Sequence, residues 1–380
     1  MAFPNSPQLQ RFHQAQESVF GDFTTIDDPN RWTPPPWAGG HRGRYLWTDA
    51  FGVINFITLH REYEQAMRSS ISGTASAAPD DRYLILARRL VETVHSILGR
   101  TRDGQDLLPG ATEENPLGGG LRIGKKEATG PDGDGQYHHY LTLWMFALNR
   151  LSLATGDPKY NRQAVALARA IHAPFFVNRH TGRPRMVWKM AMDLSKPLVA
   201  SEGNLDPVDG YVVCRLLQAA AMQSGEGAVL KDEMEDYRRV MRRKGVNWLS
   251  RDPLDLGMTL WTVHWFVDRE SWATQLAVQC LDRITDLVEI ERYFERNRSS
   301  RLAFREFGTC MGLKCISEQL SDKEASVDYR SLADSILHGW EAYLEQSLMS
   351  DDLRPINKVM YASAVLPGGT EPIPREESEE

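Results

Sequence analysis

Cysteine is scarce in this chain. Four cysteines in 380 residues are too few for the disulfide framework that holds small secreted domains together. Cys214, Cys310 and Cys315 fall on predicted inner helices and Cys280 on an outer one, where small core side chains are expected. Long apolar runs are also missing. No stretch approaches the ~20 residues of a membrane span, and the opening MAFPNSPQLQ lacks a basic cluster followed by an apolar stretch. The cytoplasm is therefore the expected compartment. A cationic excess is absent too. The net charge of −7 argues against nucleic acid or a membrane surface as partner. The one basic run, 238–244, reads as the solvated face of an outer helix.

Several chemical signatures are missing or incomplete. No His-Glu-x-x-His and no paired Cys-x-x-Cys points to zinc, and no Gly-x-Ser-x-Gly elbow points to a serine hydrolase. Gly119-Gly-Leu-Arg-Ile-Gly124-Lys125-Lys126 imitates a phosphate-binding loop, yet Lys replaces the final Ser/Thr and no strand precedes it. Residues 132–136 begin like a calcium loop but lack its glycine and closing glutamate. The expectation is an enzyme without metal or cofactor. Nor is there a sustained apolar–polar alternation that would mark a sheet.

What the chain has instead is a repeated helical hairpin. Residues 134–153 place Tyr137, Leu141, Trp144, Met145, Leu148 and Leu151 at spacings of three and four, one face of a helix. Gly156 stops that helix, and Asp157 and Pro158 start a lighter, Ala-rich one. The same pairing of a nearly uncharged inner helix with a charged outer partner recurs. Inner helices are expected from about Asp49, Asp134, Asp206, Asp255, Arg305 and Pro355. The last four starts are spaced by about 50 residues; the earlier ones are wider because two long segments, 99–133 and 173–204, intervene. Outer partners are expected at 80–98, 157–172, 229–244, 271–294 and 325–347, and an amphipathic helix over 6–20 is free to be the sixth. Loops longer than ~15 residues within a compact domain are usually functional.

With Trp47-Thr-Asp49-Ala-Phe-Gly, the Thr155-Gly-Asp157-Pro-Lys-Tyr turn and this spacing, nearly the whole chain resembles the six-hairpin toroids. These are the (α/α)6 barrels of glycoside hydrolases and of the N-acylglucosamine 2-epimerase family. The expectation is an all-α fold: one (α/α)6 domain over residues 1–370, its N-terminal helix closing the ring against the last inner helix. The acidic tail, 371–380, is expected to be disordered.

The resemblance implies a funnel at the inner-helix N-termini. Free N–H groups and the positive dipole end favour anionic or hydroxyl-rich ligands there. The polar residues gathered at that end are Asp49, Asp134, Gln136, His138, His139, Glu202, Asp206, Asp209, Asp255, Arg305 and Glu306. Trp47, Tyr137, Trp188 and Trp261 add the ring faces that a sugar's C–H surfaces need. Asp206 and Asp255 read as helix caps. Asp49, Asp209 and Glu306 sit inside apolar helices, where a carboxylate needs a partner or a ligand. Of the two adjacent histidines only one can face the lumen, and His139 is the one assigned to it.

Two chemistries follow from the resemblance. An inverting glycoside hydrolase would use Asp49 with Asp209 or Glu306 as acid and base, roughly 6.5–9.5 Å apart. A sugar 2-epimerase would use His139, with Arg305 and Glu306, to move a proton beside a carbonyl. That family places its histidines on later inner helices, where this chain has only His264; the departure counts against the epimerase, so the glycoside hydrolase is the leading expectation and the epimerase the alternative. A ligand-binding toroid or an enzyme of secondary metabolism on the same scaffold is the third reading. The expected partner is a small sugar or another polar cyclic compound.

Overall fold

The computed structural model describes residues 6–70, 81–245, 249–317, 319, 327–345 and 353–368. The expected tail at 371–380 lies outside them. Among the described residues the chain forms twelve α-helices: α1 (Pro7–Phe20), α2 (Leu46–Ser70), α3 (Arg82–Leu98), α4 (His138–Thr155), α5 (Lys159–Phe175), α6 (Asp206–Gln223), α7 (Lys231–Lys244), α8 (Pro253–Val263), α9 (Ser271–Glu289), α10 (Ala303–Ile316), α11 (Tyr329–Glu341) and α12 (Arg354–Val365). The even-numbered helices are the inner ring. Each packs against the next, and α12 returns to α2. The outer partners α3, α5, α7, α9 and α11 each lie on the inner helix that precedes them, and α1 covers α12. The ring is closed, which makes this an (α/α)6 toroid.

The division into inner and outer helices follows from side-chain polarity. In α4 every residue from Leu141 to Ser152 is buried, because the helix is covered both by its outer partner and across the barrel. In α7 only Asp236, Tyr237 and Val240 are buried, and the remaining positions carry charge apart from Met234 and Met241, which pack half-buried against the core. The helix ends are written in the sequence. Pro7 and Pro253 stand in the first turns of α1 and α8, where a missing N–H costs nothing. Asp252 caps α8 by accepting from Leu254 N at 2.9 Å, and Gly156 ends α4 in the left-handed region at φ 67°. The tightest inner contact, α8 on α10, depends on glycine. A Cβ on Gly257 would collide with the backbone of Gly308, and one on Gly312 with the carbonyl of Gly257.

Two features differ from the sequence reading. Residues 134–137 are not the first turn of α4. Gln136–Tyr137 (β1) pairs antiparallel with Lys189–Met190 (β4), and Phe176–Val177 (β2) with Arg185–Met186 (β3). The basic run of α7 is not merely solvated. Arg239 donates to Arg179 O at 2.9 Å, Arg243 to Pro184 O at 2.8 Å and Lys244 to Gly203 O at 2.6 Å. These bonds tie the 173–204 segment to the barrel just before Asp206. Cys214, Cys280 and Cys310 are buried and Cys315 half-buried, all free thiols. No helix among the described residues is long and apolar enough to cross a membrane.

Candidate active site

A cavity of about 610 Å³ opens at the end of the barrel where the inner helices begin. Its walls come from the turn at 38–40, the start of α2, loop residues 124–132, the first turn of α4, and the starts of α8, α10 and α12. Its floor is His139, which also lines a small apolar pocket below it with Asp209, Trp261 and Thr262.

His139 follows His138, and the two rings share one carboxylate. Nδ1 of His138 lies 3.4 Å and Nδ1 of His139 3.7 Å from Oδ1 of Asp206. His138 is fully buried and its Nε2 bonds the hydroxyl of Tyr237 at 2.9 Å. His139 keeps 22% of its side chain exposed, with Nδ1 turned to Asp206 and Nε2 free of protein partners among the described residues. Gly203 allows the carboxylate this position, since a Cβ there would strike Asp206 Oδ2. Burial works to raise the Asp206 pKa, but the two imidazoles outweigh it and hold the acid below its ordinary range. Burial works to lower the pKa of His139, and Asp206, then Asp209 and Asp255, more than reverse it, leaving it raised. The result is a negatively charged acid behind a basic imidazole that faces a cavity.

Trp47 lies in the wall with its ring centroid 6.0 Å from that of His139. Tyr140 packs 5.0 Å from both rings, and its hydroxyl bonds that of Tyr45. Arg305 lines the opposite wall, ion-paired with Asp252. Asp255 lines it too, accepting from Asn204 Nδ2 at 3.0 Å. Asp209 accepts from the Thr262 hydroxyl at 2.8 Å. Burial raises its pKa to about 7, the Thr262 bond opposing and the neighbouring Asp206 charge adding to the rise.

Other expected site residues lie elsewhere. Asp49 is completely buried and accepts from Arg44 Nη1 at 3.0 Å and Tyr45 N at 3.1 Å. It fixes the entry to α2, and burial, opposed by Arg44, raises its pKa to about 6. Glu306 is gripped by Arg301 at 2.6 and 2.5 Å and by Trp340 Nε1 at 2.7 Å, on the outer side of α10. Neither carboxylate lines the cavity, so the pairings of Asp49 with Asp209 or Glu306 do not assemble there. Asp134 accepts from Arg102, Arg122 and the amides of Gly124, Lys125 and Gly135. Gln136 bonds Leu121 N, Gly119 O and Met192 O. Both shape the loop that makes one wall and stay behind it. Tyr137 and Trp188 stack edge-to-face beside His139 rather than lining the cavity. Glu202 is paired with Arg243, and Trp261 lies in the lower pocket.

Of the expected residues, then, His139, Trp47, Asp255 and Arg305 meet at the cavity, with Asp209 and Trp261 beneath it. The sequence reading missed Tyr45, Tyr140, Lys125 and Asp252. Their sequence signals were local: Tyr140 is next to His139, and Asp252-Pro253 is a helix-cap pair. Among the described residues no group of three or more His, Cys, Asp or Glu is arranged to hold a metal ion.

No family model matches the chain, and no curated protein matches it. Among solved structures it is similar to a family 76 glycoside hydrolase (mannosidase) from Bacteroides thetaiotaomicron, at TM-score 0.55 and 12% identity, over 96% of this chain and 98% of that one. It is similar to cellobiose 2-epimerase from Spirochaeta thermophila, at TM-score 0.51 and 11% identity, over 95% and 99%. It is similar also to a D-mannose isomerase, at TM-score 0.53 and 10% identity, over 96% and 100%. At these identities the likeness is one of fold.

Proposed function

We propose that this chain is a carbohydrate-active enzyme of the sugar isomerase or epimerase kind, with His139 as the proton-transferring group. The observation that carries this reading is the His139–Asp206 pair at the cavity floor. A general base needs a pKa near working pH and an orienting partner; Asp206 supplies both, holding Nδ1 and leaving Nε2 to the substrate. In an open-chain sugar, Nε2 would take the proton from the carbon beside the carbonyl. The C–H electron pair then forms an enediolate, and the imidazolium is stabilised by Asp206. Returning the proton to the former carbonyl carbon, while the hydroxyl proton of the first carbon passes to the former carbonyl oxygen, gives the isomer; returning it to the other face of the first carbon gives the epimer. Tyr140 and Arg305, both in the cavity wall, would meet the negative charge that develops on oxygen. Trp47 offers a ring face to the sugar's C–H surface. The similar folds of a glycoside hydrolase, an epimerase and an isomerase support the broader reading of a carbohydrate-active enzyme.

Hydrolysis is the second reading, favoured by one observation. Asp209, with its pKa raised to about 7, would be protonated as a general acid needs to be, and Asp255 in the wall would be the base. The two are separated by experiment. Incubation with D-mannose, D-glucose and D-fructose in deuterium oxide should place deuterium on C2 or C1, and His139→Asn should abolish this while the protein stays folded. Release of nitrophenol from aryl glycosides that is lost in Asp255→Asn and kept in His139→Asn would sink the isomerase reading.

A further inference from the structure

The cavity is electrically lopsided. On the side of α8 and α10 stand Asp252 and Asp255, with Asp206 and Asp209 below; the cation there among the described residues, Arg305, is paired with Asp252. On the other side the loop wall presents Lys125 and Lys126, with Glu127 and Asp132. Behind that wall the cations dominate. Arg102 and Arg122 converge on the single carboxylate of Asp134. Lys189 is buried, donating to Pro131 O at 2.8 Å, and feels the charge of Lys125. In a chain of net charge −7 this is a local excess of positive charge. Lys125 is its foremost member. Its Nζ lies 5.7 Å above the ring of Tyr45, whose hydroxyl bonds that of Tyr140, with no carboxylate or hydrogen-bond partner among the described residues. Its amide is fixed by Asp134 Oδ1 at 3.2 Å, so the side chain springs from a rigid base.

We infer that the substrate carries an anionic group, a phosphate or a carboxylate, held by Lys125 over the Tyr45–Tyr140 hydroxyls while the sugar reaches the floor at His139. A half-buried ammonium directed into a binding cavity gains most from an anion that the ligand brings. The hydroxyls of the sugar would then face the acids of the opposite wall, which accept hydrogen bonds and repel a second anion. This rests on the reading that the cavity is the substrate site, but not on which reaction occurs there.

Titration calorimetry on the full chain tests it with D-glucose, D-glucose 6-phosphate and D-glucuronate as probes. The expected result is that at least one anionic sugar binds roughly tenfold or more tightly than glucose, the scale of one charge-assisted hydrogen bond. Lys125→Met should remove that preference and Lys125→Arg should restore most of it. Glucose 6-phosphate preferred over glucuronate assigns a phosphate, and the reverse assigns a carboxylate. Equal affinity for all three, or no binding by either anionic sugar, overturns the inference, as does a preference that survives in Lys125→Met. His139→Asn should keep the preference even where it abolishes turnover, so a failure of the isomerase reading and a failure of this inference are told apart.

Discussion

Asp206 and His139 face each other across 3.7 Å at the floor of the cavity, and the oxygen they share with His138 is the most consequential atom in the site. Burial pulls the pKa of His139 down, and that carboxylate is the foremost of the three, ahead of Asp209 and Asp255, that leave it raised. Asp206→Asn keeps the shape and removes the charge. The His139 pKa should then fall, because desolvation is left to act with less opposition. Histidine-resolved NMR titration reads this directly. In any activity that needs neutral His139, the acid limb of the pH profile moves to lower pH, and the rate falls by roughly 10²–10⁴ if His139 is the base. An unmoved imidazole pKa would show that Asp206 does not tune it.

Asp209 makes stability depend on pH in the opposite sense from most acids. Its folded pKa, about 7, lies above the ordinary 3.8, so the native state binds its proton more tightly than the unfolded chain. Its contribution is fully present below pH 4 and is lost as pH rises from about 4 to about 7. Asp209→Asn should therefore flatten the stability profile over that window and gain on the order of 1–3 kcal/mol at pH 8. Urea unfolding at pH 5 and pH 8 checks it: a variant that loses as much stability with rising pH as the parent contradicts the assignment.

Glu306 should behave as a structural anion. Removing one partner of a buried ion pair costs about 3–5 kcal/mol, because the other charge is left uncompensated. Glu306→Gln leaves Arg301 in that position. The urea midpoint should drop accordingly, while the folded fraction retains its ligand affinity. A catalytic role would give the reverse: normal stability with lost activity.

Asp49 and Glu306 also mark what sequence could not supply. A carboxylate within an apolar helix needs a partner, and the sequence made that need visible for both. It could not say that Arg44 and Arg301, five residues upstream in each case, would satisfy it, since both arginines precede their helices and approach only through the fold of the entry turn. The ring of hairpins was legible because its signals are local: proline and aspartate starts, Gly156, and the contrast between α4 and α7. The wall containing Lys125 was not. It depends on Asp134 and Gln136 pinning a loop whose backbone has no periodic pattern, so the two residues look like ligand contacts until their partners are seen. His139 was found because two adjacent helical residues cannot share a face, and one of them had to be turned towards the lumen.

Gly257 tests the inner ring itself. A Cβ on it would meet the carbonyl of Gly308 and the Cα of Thr309, and a methyl group there has nowhere to go except by parting α8 from α10. Backbone atoms cannot move aside as a flexible side chain can, so the cost of overpacking applies, about 1–3 kcal/mol. That exceeds the few tenths to about 1 kcal/mol by which Ala favours a helix interior over Gly, so Gly257→Ala should lower the melting temperature despite the better helix former. Asp252 and Asp255 begin α8 and Arg305 begins α10, so parting these helices also widens the acidic wall of the cavity. The variant should thus lose ligand affinity along with stability, whereas Gly182→Ala, in an open turn with nothing within 4 Å of the added methyl, should change neither. Thermal unfolding and calorimetry on the two variants side by side would decide it; a Gly257→Ala protein as stable as the parent would mean that the inner ring tolerates a wider spacing than this packing implies.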